Sequence, residues 1–255
     1  MKNILLLGAT GSIGRSVLSV INENKSKLNL FGISLNNNLN IANKIIDDFN
    51  PSFVYIEDKD TFDNQKESKE VIYLNGDEEL KGLINHQDVD IIISAISGFA
   101  GLKATHLAAS SGKKILLANK ESIVAGGDLI LPLAKENNSE IIPIDSEHNA
   151  IFQCLSGEKG IDDVKRVTIT ASGGPFINKK LLDLKNVKKS DALNHPNWKM
   201  GSKISIDSAT LVNKCLELIE AKYLFDLDEK YFDLVVHPQS IIHSIVTYVD
   251  GSSIC

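Results

Sequence analysis

The residues best suited to chemistry in this sequence fall into short clusters, and the first is Asp145-Ser146-Glu147. It follows the strand-like run Glu140-Ile141-Ile142-Pro143-Ile144. If extended geometry persists through it, two carboxylates two residues apart project to the same side. That arrangement suits a hard cation, although isolated Asp-x-Glu patterns are also common on ordinary surfaces. A third donor is offered by Asn213-Lys214-Cys215-Leu216-Glu217, where Asn213 and Glu217 stand one helical turn apart on a shared face, with Lys214 beside it. Together, the carboxylates and the lysine suit Mg²⁺ or Mn²⁺ holding an oxygen-rich, phosphorylated small molecule.

A second kind of chemistry is offered by Gly8-Ala9-Thr10-Gly11-Ser12-Ile13-Gly14, which directly follows a strand-like run and opens a helix-like one. Gly8 allows a tight turn, Gly11 lets backbone N–H groups approach a pyrophosphate, and Gly14 permits close helix packing. The next strand ends in Leu35-Asn36-Asn37-Asn38, with no acid for a ribose 2′-hydroxyl and no basic residue for a 2′-phosphate. The missing acid argues mildly against NAD and leaves NADP possible. Asn119-Lys120-Glu121-Ser122 also follows a strand, at the edge where open α/β sheets bind ligands, but Asn119 or Ser122 serves equally well as a helix cap. Ala171-Ser172-Gly173-Gly174-Pro175 reads as an anion nest or as a plain turn. His195 and Trp198 stand in a poorly patterned segment bounded by Pro196 and Gly201, the composition of a loop that closes over a ligand; a buried structural role is the alternative for Trp198. His237 and His243 lack partner spacing and read as structural, and Lys179, Lys180, Lys185, Lys188 and Lys189 read as a solvated face.

The elements that position these clusters follow from periodicity. Ile4 to Leu7 reads as a buried parallel strand, and Ser12 to Asn24 as a helix with Ile13, Val17, Val20 and Ile21 at helical spacing. Further strands are predicted at Leu30–Leu35, Phe53–Ile56, Asp90–Ala95, Lys114–Ala118 and Glu140–Asp145, with helices at Ile41–Phe49, Glu78–Asn85 and Gly101–Ser111. Glu57 to Glu70 reads as a loop and a polar helix. Strands alternating with helices imply a doubly wound parallel sheet. Beyond residue 145 the pattern changes to alternating strands, at Val164–Ala171, Leu234–Val236 and Ile241–Val249, with one helix from about Ser208 to Phe225. The expectation is an N-terminal dinucleotide-binding domain, residues 1–145, followed by an α+β catalytic domain with an open sheet, residues 146–255.

Composition narrows the class of partner. At 43% hydrophobic and 24% charged residues the chain is globular, and a formal charge of -6 gives no reason to expect nucleic acid or an anionic membrane. Cys154, Cys215 and Cys255 have neither metal-type spacing nor the count of a disulfide framework, which fits a reducing cytoplasm. The N-terminal apolar run is too short for a signal or a membrane span.

In order and spacing, these clusters resemble the 1-deoxy-D-xylulose 5-phosphate reductoisomerase family. The resemblance is carried by Gly8 through Gly14, Ala118 through Ser122, Asp145 through His148, Ala171 through Phe176, His195 through Gly201, and Ile206 through Glu217. It implies a divalent metal held by Asp145, Glu147 and Glu217, with Lys120 approaching the same substrate oxygens. It further implies NADPH as reductant, contacted by Gly8, Thr10, Gly11, Ser12, Ile13, Gly14, Asn36, Asn37, Asn38, Asn119, Glu121 and Gly201. Ser172, Ser208, Asn213 and Lys214 would bind the sugar phosphate with help from Ser146, while His195 and Trp198 would shut over it. A homodimer joined through the late alternating strands, and further sheet with a C-terminal helical domain beyond Cys255, are implied as well. Two competing readings remain: a nucleotide-binding protein without chemistry, and a semialdehyde-type dehydrogenase, which would need a reactive cysteine.

Overall fold

The computed structural model describes residues 1–65, 70–157, 160–194 and 201–255. Residues Met1–Ile142 form one compact unit and Pro143–Cys255 another.

Apolar runs build the sheet of the first unit: β1 (Lys2–Leu7), β2 (Leu28–Leu35), β3 (Phe53–Ile56), β4 (Ile72–Leu74), β5 (Ile91–Ser94), β6 (Lys114–Leu117) and β7 (Glu140–Pro143). Their order is β4-β3-β2-β1-β5-β6-β7, a doubly wound sheet whose direction of winding reverses between β1 and β5. Both neighbours of β1 run parallel to it, with Ile4 to Leu7 opposite Ile91 to Ser94 on the β5 side. Leu5 and Leu7 pack with Ile92 and Ile115 of the sheet and with Leu80, Leu83, Ala104 and Ala108 of the Asp77–Ile84 and Leu102–Ala109 helices. A strand covered on both faces has no reason to alternate, which is why these segments read as continuous apolar runs.

Two local expectations are corrected and one strand is added. The Ser12–Glu23 helix turns Gly14, Leu18 and Ile21 inward, whereas Ile13 and Val20 are exposed. Of the expected stripe Ile21 is buried and Val17 partly so, and close approach at Gly14 turns the remaining two outward. The polar stretch after β3 holds the Lys59–Asp63 helix, as expected, and is followed by β4, an unexpected three-residue edge strand too short to show periodicity. The helix expected from Ser208 to Phe225 is two, Ser202–Ala209 and Val212–Phe225, because Leu211 adopts φ +61°. A left-handed leucine is strained, and it starts a new helix at Val212.

The second unit is built on a sheet of order β11-β10-β8-β9, from β8 (Val164–Ala171), β9 (Phe232–Val236), β10 (Ser244–Tyr248) and β11 (Ser253–Ile254). β10 pairs antiparallel with β8 and β11, while β9 lies parallel to β8 along its edge. Val167, Ile169, Val246 and Tyr248 face Ile151, Ala221 and Phe225 of the covering helices. Tyr248 donates its buried hydroxyl to the Cys154 carbonyl at 2.8 Å, tying sheet to helix. Among the described residues no helix is long and apolar enough to cross a membrane.

Candidate active site

The glycine turn stands where the winding of the first sheet reverses. Gly8 has φ +87°, and a Cβ there would lie 2.7 Å from the Ala95 carbonyl oxygen beyond β5. The turn is also fastened to β2, since Gly8 N–H donates to Ser34 Oγ at 3.0 Å and Ala9 N–H to the Ser34 carbonyl at 2.9 Å. Ser12–Glu23 then begins without a side-chain cap and without an acid in its first turn. Its N-terminal N–H groups and dipole can therefore receive an anion. Asn36, Asn37 and Asn38 are exposed at the end of β2, and Asn38 caps the Leu39–Phe49 helix by accepting from Ile41 N–H at 3.2 Å.

At the end of β6, Asn119 caps the Lys120–Glu136 helix by accepting from Ser122 N–H at 2.9 Å. The same side chain donates to the carbonyls of Ile96 at 2.6 Å and Gly98 at 2.9 Å, and to Glu121 at 3.1 Å. Asn119 thus holds two ligand-edge loops together, besides any contact with a cofactor. Lys120 is buried at the start of that helix. Asn119→Ala removes the cap and leaves two carbonyls unanswered, so it should destabilise the chain by about 1–3 kcal/mol, measurable by thermal or urea unfolding.

The second unit gathers the acidic residues. Asp145, Glu147 and Glu217 each offer an oxygen, and these oxygens lie within 4.8 Å of one another. The expected extended Asp-x-Glu is corrected here. Asp145 is the N-cap of the Ser146–Leu155 helix, so Glu147 lies in a first helical turn. The helix N-terminus favours both carboxylates. Glu217 joins them from the Val212–Phe225 helix, where Asn213 Nδ2 donates to its Oε1 across one turn, as the spacing implied. Lys214 Nζ donates to Glu147 Oε1 and to Glu217 Oε2, each at 2.6 Å. Exposed Ser146 turns its hydroxyl to Glu147 Oε2 at 2.7 Å.

Burial and like charge shape the electrostatics of this cluster. The Glu147 carboxyl is pushed above its ordinary pKa by burial, then by Glu217 and Asp145, with Lys214 opposing. Burial alone would lower Lys214, but the adjacent Glu217 and Glu147 outweigh it and hold the ammonium above its usual value. Sequence reasoning gave no role to two further buried residues. His148 lies 3.4 Å from the Asp145 carboxylate, 2.9 Å from the Glu217 carbonyl oxygen and 3.4 Å from Glu220. Desolvation opposes its charge, yet Glu220 and Asp145 outweigh it and raise its pKa to about 9, which favours the imidazolium. The signal for Glu220 was its place three residues after Glu217, which repeats an acid on the helix face already shared by Asn213 and Glu217.

Beside the acids, Ser172, Gly173, Ser208, Asn213 and Lys214 line a small recess. Gly173 and Gly174 have φ +86° and +68°, and Gly174 N–H donates to Ser172 Oγ at 3.3 Å. The turn is pressed against the Ser202–Ala209 helix: a Cβ on Gly174 would lie 2.5 Å from the Ser208 carbonyl oxygen. Gly201 is the N-cap of that helix, while His195 and Trp198 lie outside the described residues. His237 accepts from Ile241 N–H at 3.1 Å through Nε2, a structural contact. Cys154 is buried and its thiol is pushed up by that burial, the reverse of an activated nucleophile.

Comparison with known proteins bears on both units. The family model described as 1-deoxy-D-xylulose 5-phosphate reductoisomerase matches residues 4–127, and that of the C-terminal domain of the same enzyme matches residues 141–225. Enzymes of that name from Thermoanaerobacter sp. and Clostridium tetani are 47% and 49% identical over all of this chain, which covers 66% and 67% of their lengths. A crystal structure of DOX-P reductoisomerase in complex with NADPH, fosmidomycin and magnesium is 42% identical with a TM-score of 0.94, over 99% of this chain and 65% of that one. The chain thus spans about two thirds of the length of the relatives it matches. It belongs to the 1-deoxy-D-xylulose 5-phosphate reductoisomerase family.

Proposed function

We propose that this chain carries the cofactor-binding and metal-binding parts of an enzyme that rearranges 1-deoxy-D-xylulose 5-phosphate and reduces it with NADPH to 2-C-methyl-D-erythritol 4-phosphate. The observation that carries this reading is the convergence of Asp145, Glu147 and Glu217 within 4.8 Å. Three hard oxygen donors, two of them at a helix N-terminus, fit Mg²⁺ or Mn²⁺, which keep further positions for water or substrate oxygens. Bound there, the cation supplies Lewis acidity at the substrate's carbonyl and hydroxyl oxygens. The carboxylates hold and orient, Asn213 fixes Glu217, and His148 fixes Asp145 against the Glu217 backbone.

Ser172, Ser208, Asn213 and Lys214 take the phosphate of the substrate in this reading, and Ser146 and Lys120 take its other oxygens. His195 and Trp198 exclude water before hydride transfer. The glycine turn from Gly8 to Gly14 holds the pyrophosphate of NADPH, which supplies the hydride, with Thr10, Ser12, Ile13, Asn36, Asn37, Asn38, Asn119, Glu121 and Gly201 as further cofactor contacts. The NADP-binding domain would then be residues 1–145, three residues beyond the end of the first compact unit at Ile142, and the catalytic and dimerisation domain residues 146–255. A second copy of the chain would cover edge strand β9, where Leu234, Val235 and Val236 are about half exposed.

The test follows oxidation of NADPH and of NADH with 1-deoxy-D-xylulose 5-phosphate, with and without Mn²⁺. It uses this chain and a form carrying the remaining third found in the relatives. Metal-dependent oxidation of NADPH in preference to NADH is expected. Its absence from both forms overturns the proposal.

A further inference from the structure

Lys214 belongs to two neighbourhoods at once. Its ammonium group sits between Glu147 and Glu217, 2.6 Å from each. The same residue lines the recess, with Ser172, Gly173 and Ser208. Asn213 is shared in the same way, donating to Glu217 while lining the recess. In this arrangement the recess measures about 10 Å³, roughly the room that one water needs, and a phosphoryl group is larger. The backbone beside it is already tight, since Gly174, next to lining residue Gly173, is pressed on the Ser208 carbonyl. Lys214, also in the lining, carries its charge on a flexible four-carbon stem. Admission of a phosphoryl group therefore calls for the lining to give way, and Lys214 is its longest and most flexible member.

We infer that Lys214 is a latch that couples the cation site to the phosphate site: it balances the carboxylates until a divalent cation replaces it, and the released ammonium then serves the phosphoryl group. This inference rests on the metal and phosphate positions proposed above. An ammonium group that hydrogen-bonds two of the three candidate ligands competes with a cation for the same oxygens, and two positive charges in one partly buried cluster repel. Conversely, an anion in the recess draws Lys214 away and leaves the carboxylates uncompensated, which raises their demand for a cation. Each ligand must then tighten the other by the same factor, because the linkage is reciprocal.

The experiment titrates the chain with Mn²⁺ and with methylphosphonate, a phosphoryl probe with no carbonyl or hydroxyl of a sugar to reach the metal, each in the absence and presence of the other. In the unaltered chain each ligand should tighten the other by about tenfold or more. In Lys214→Gln, Mn²⁺ alone should bind at least as tightly as before, and the coupling should shrink to about twofold or less. Equal coupling in Lys214→Gln would mean that direct attraction between cation and anion carries it, and overturns the latch. So does a loss of Mn²⁺ affinity in Lys214→Gln as deep as that in Asp145→Asn.

A measurement on the unaltered chain does not depend on the variant's folding. Amine-reactive labelling read by mass spectrometry should find Lys214 protected without ligands, more reactive with Mg²⁺ alone, and protected again with Mg²⁺ and methylphosphonate. Labelling unmoved by Mg²⁺ overturns the inference. Mn²⁺ binding that is lost in Asp145→Asn but uncoupled from methylphosphonate removes the latch and leaves the metal site standing. No Mn²⁺ binding at all removes both.

Discussion

Glu217→Gln is expected to lower Mn²⁺ affinity by about a hundredfold or more, since even residues that merely orient a ligand are worth tenfold to a hundredfold. The substitution keeps the shape of the side chain and the contact with Asn213, and removes one negative oxygen donor from a group whose oxygens lie within 4.8 Å. Unfolding does not explain that loss. Lys214 retains Glu147, and removing one of several adjacent carboxylates relieves the repulsion that helps raise the Glu147 pKa. Metal-dependent NADPH oxidation should fall with the affinity and recover partly at high Mn²⁺. Calorimetric or spin-resonance titration of Mn²⁺, beside a thermal melt, checks both halves. Unchanged affinity in a folded variant would remove Glu217 from the site.

The first unit was legible because its strands are buried on both faces: runs such as Ile4–Leu7 and Ile91–Ser94 have no polar alternation to confuse, and the glycine turn marks where they lead. The face of the Ser12–Glu23 helix was read only in part: Ile21 turns inward as its spacing implied, but the missing side chain at Gly14 outweighs the pull of Ile13 and Val20. In the second unit the identity of the acidic residues was legible and their geometry was not. Asp145 and Glu147 converge through a helix cap, and Glu217 arrives from a helix whose start is set by the φ of Leu211. His148 and Glu220 were invisible as partners for a related reason. They are 72 positions apart, and only burial at 0% and 1% exposure shows that their charges must answer each other.

Gly14→Ala should disable the first unit, and comparison with Gly11→Ala separates the fold from the cofactor. A Cβ on Gly14 would lie 2.3 Å from the Ala9 carbonyl oxygen and 2.7 Å from that of Gly8, both backbone atoms of the turn. No rotamer change can relieve that contact, so the Ser12–Glu23 helix must shift against the turn, at about 1–3 kcal/mol. For a chain of this size that lowers Tm by about 2–4 °C per kcal/mol. NADPH affinity should fall more than about tenfold, which takes only 1.4 kcal/mol of lost contact. At Gly11 the nearest atom to a Cβ is the Gly8 carbonyl oxygen at 3.3 Å, and φ is -76°, so alanine fits the backbone with a small adjustment. What its methyl group would occupy is the approach to the helix N-terminus, where the pyrophosphate is proposed to lie. Gly11→Ala should therefore keep Tm within a few degrees while losing NADPH affinity, read by fluorescence titration of the bound cofactor. If Gly11→Ala binds NADPH as the unaltered chain does, the pyrophosphate does not sit at this turn, and the loss in Gly14→Ala reports only a damaged fold.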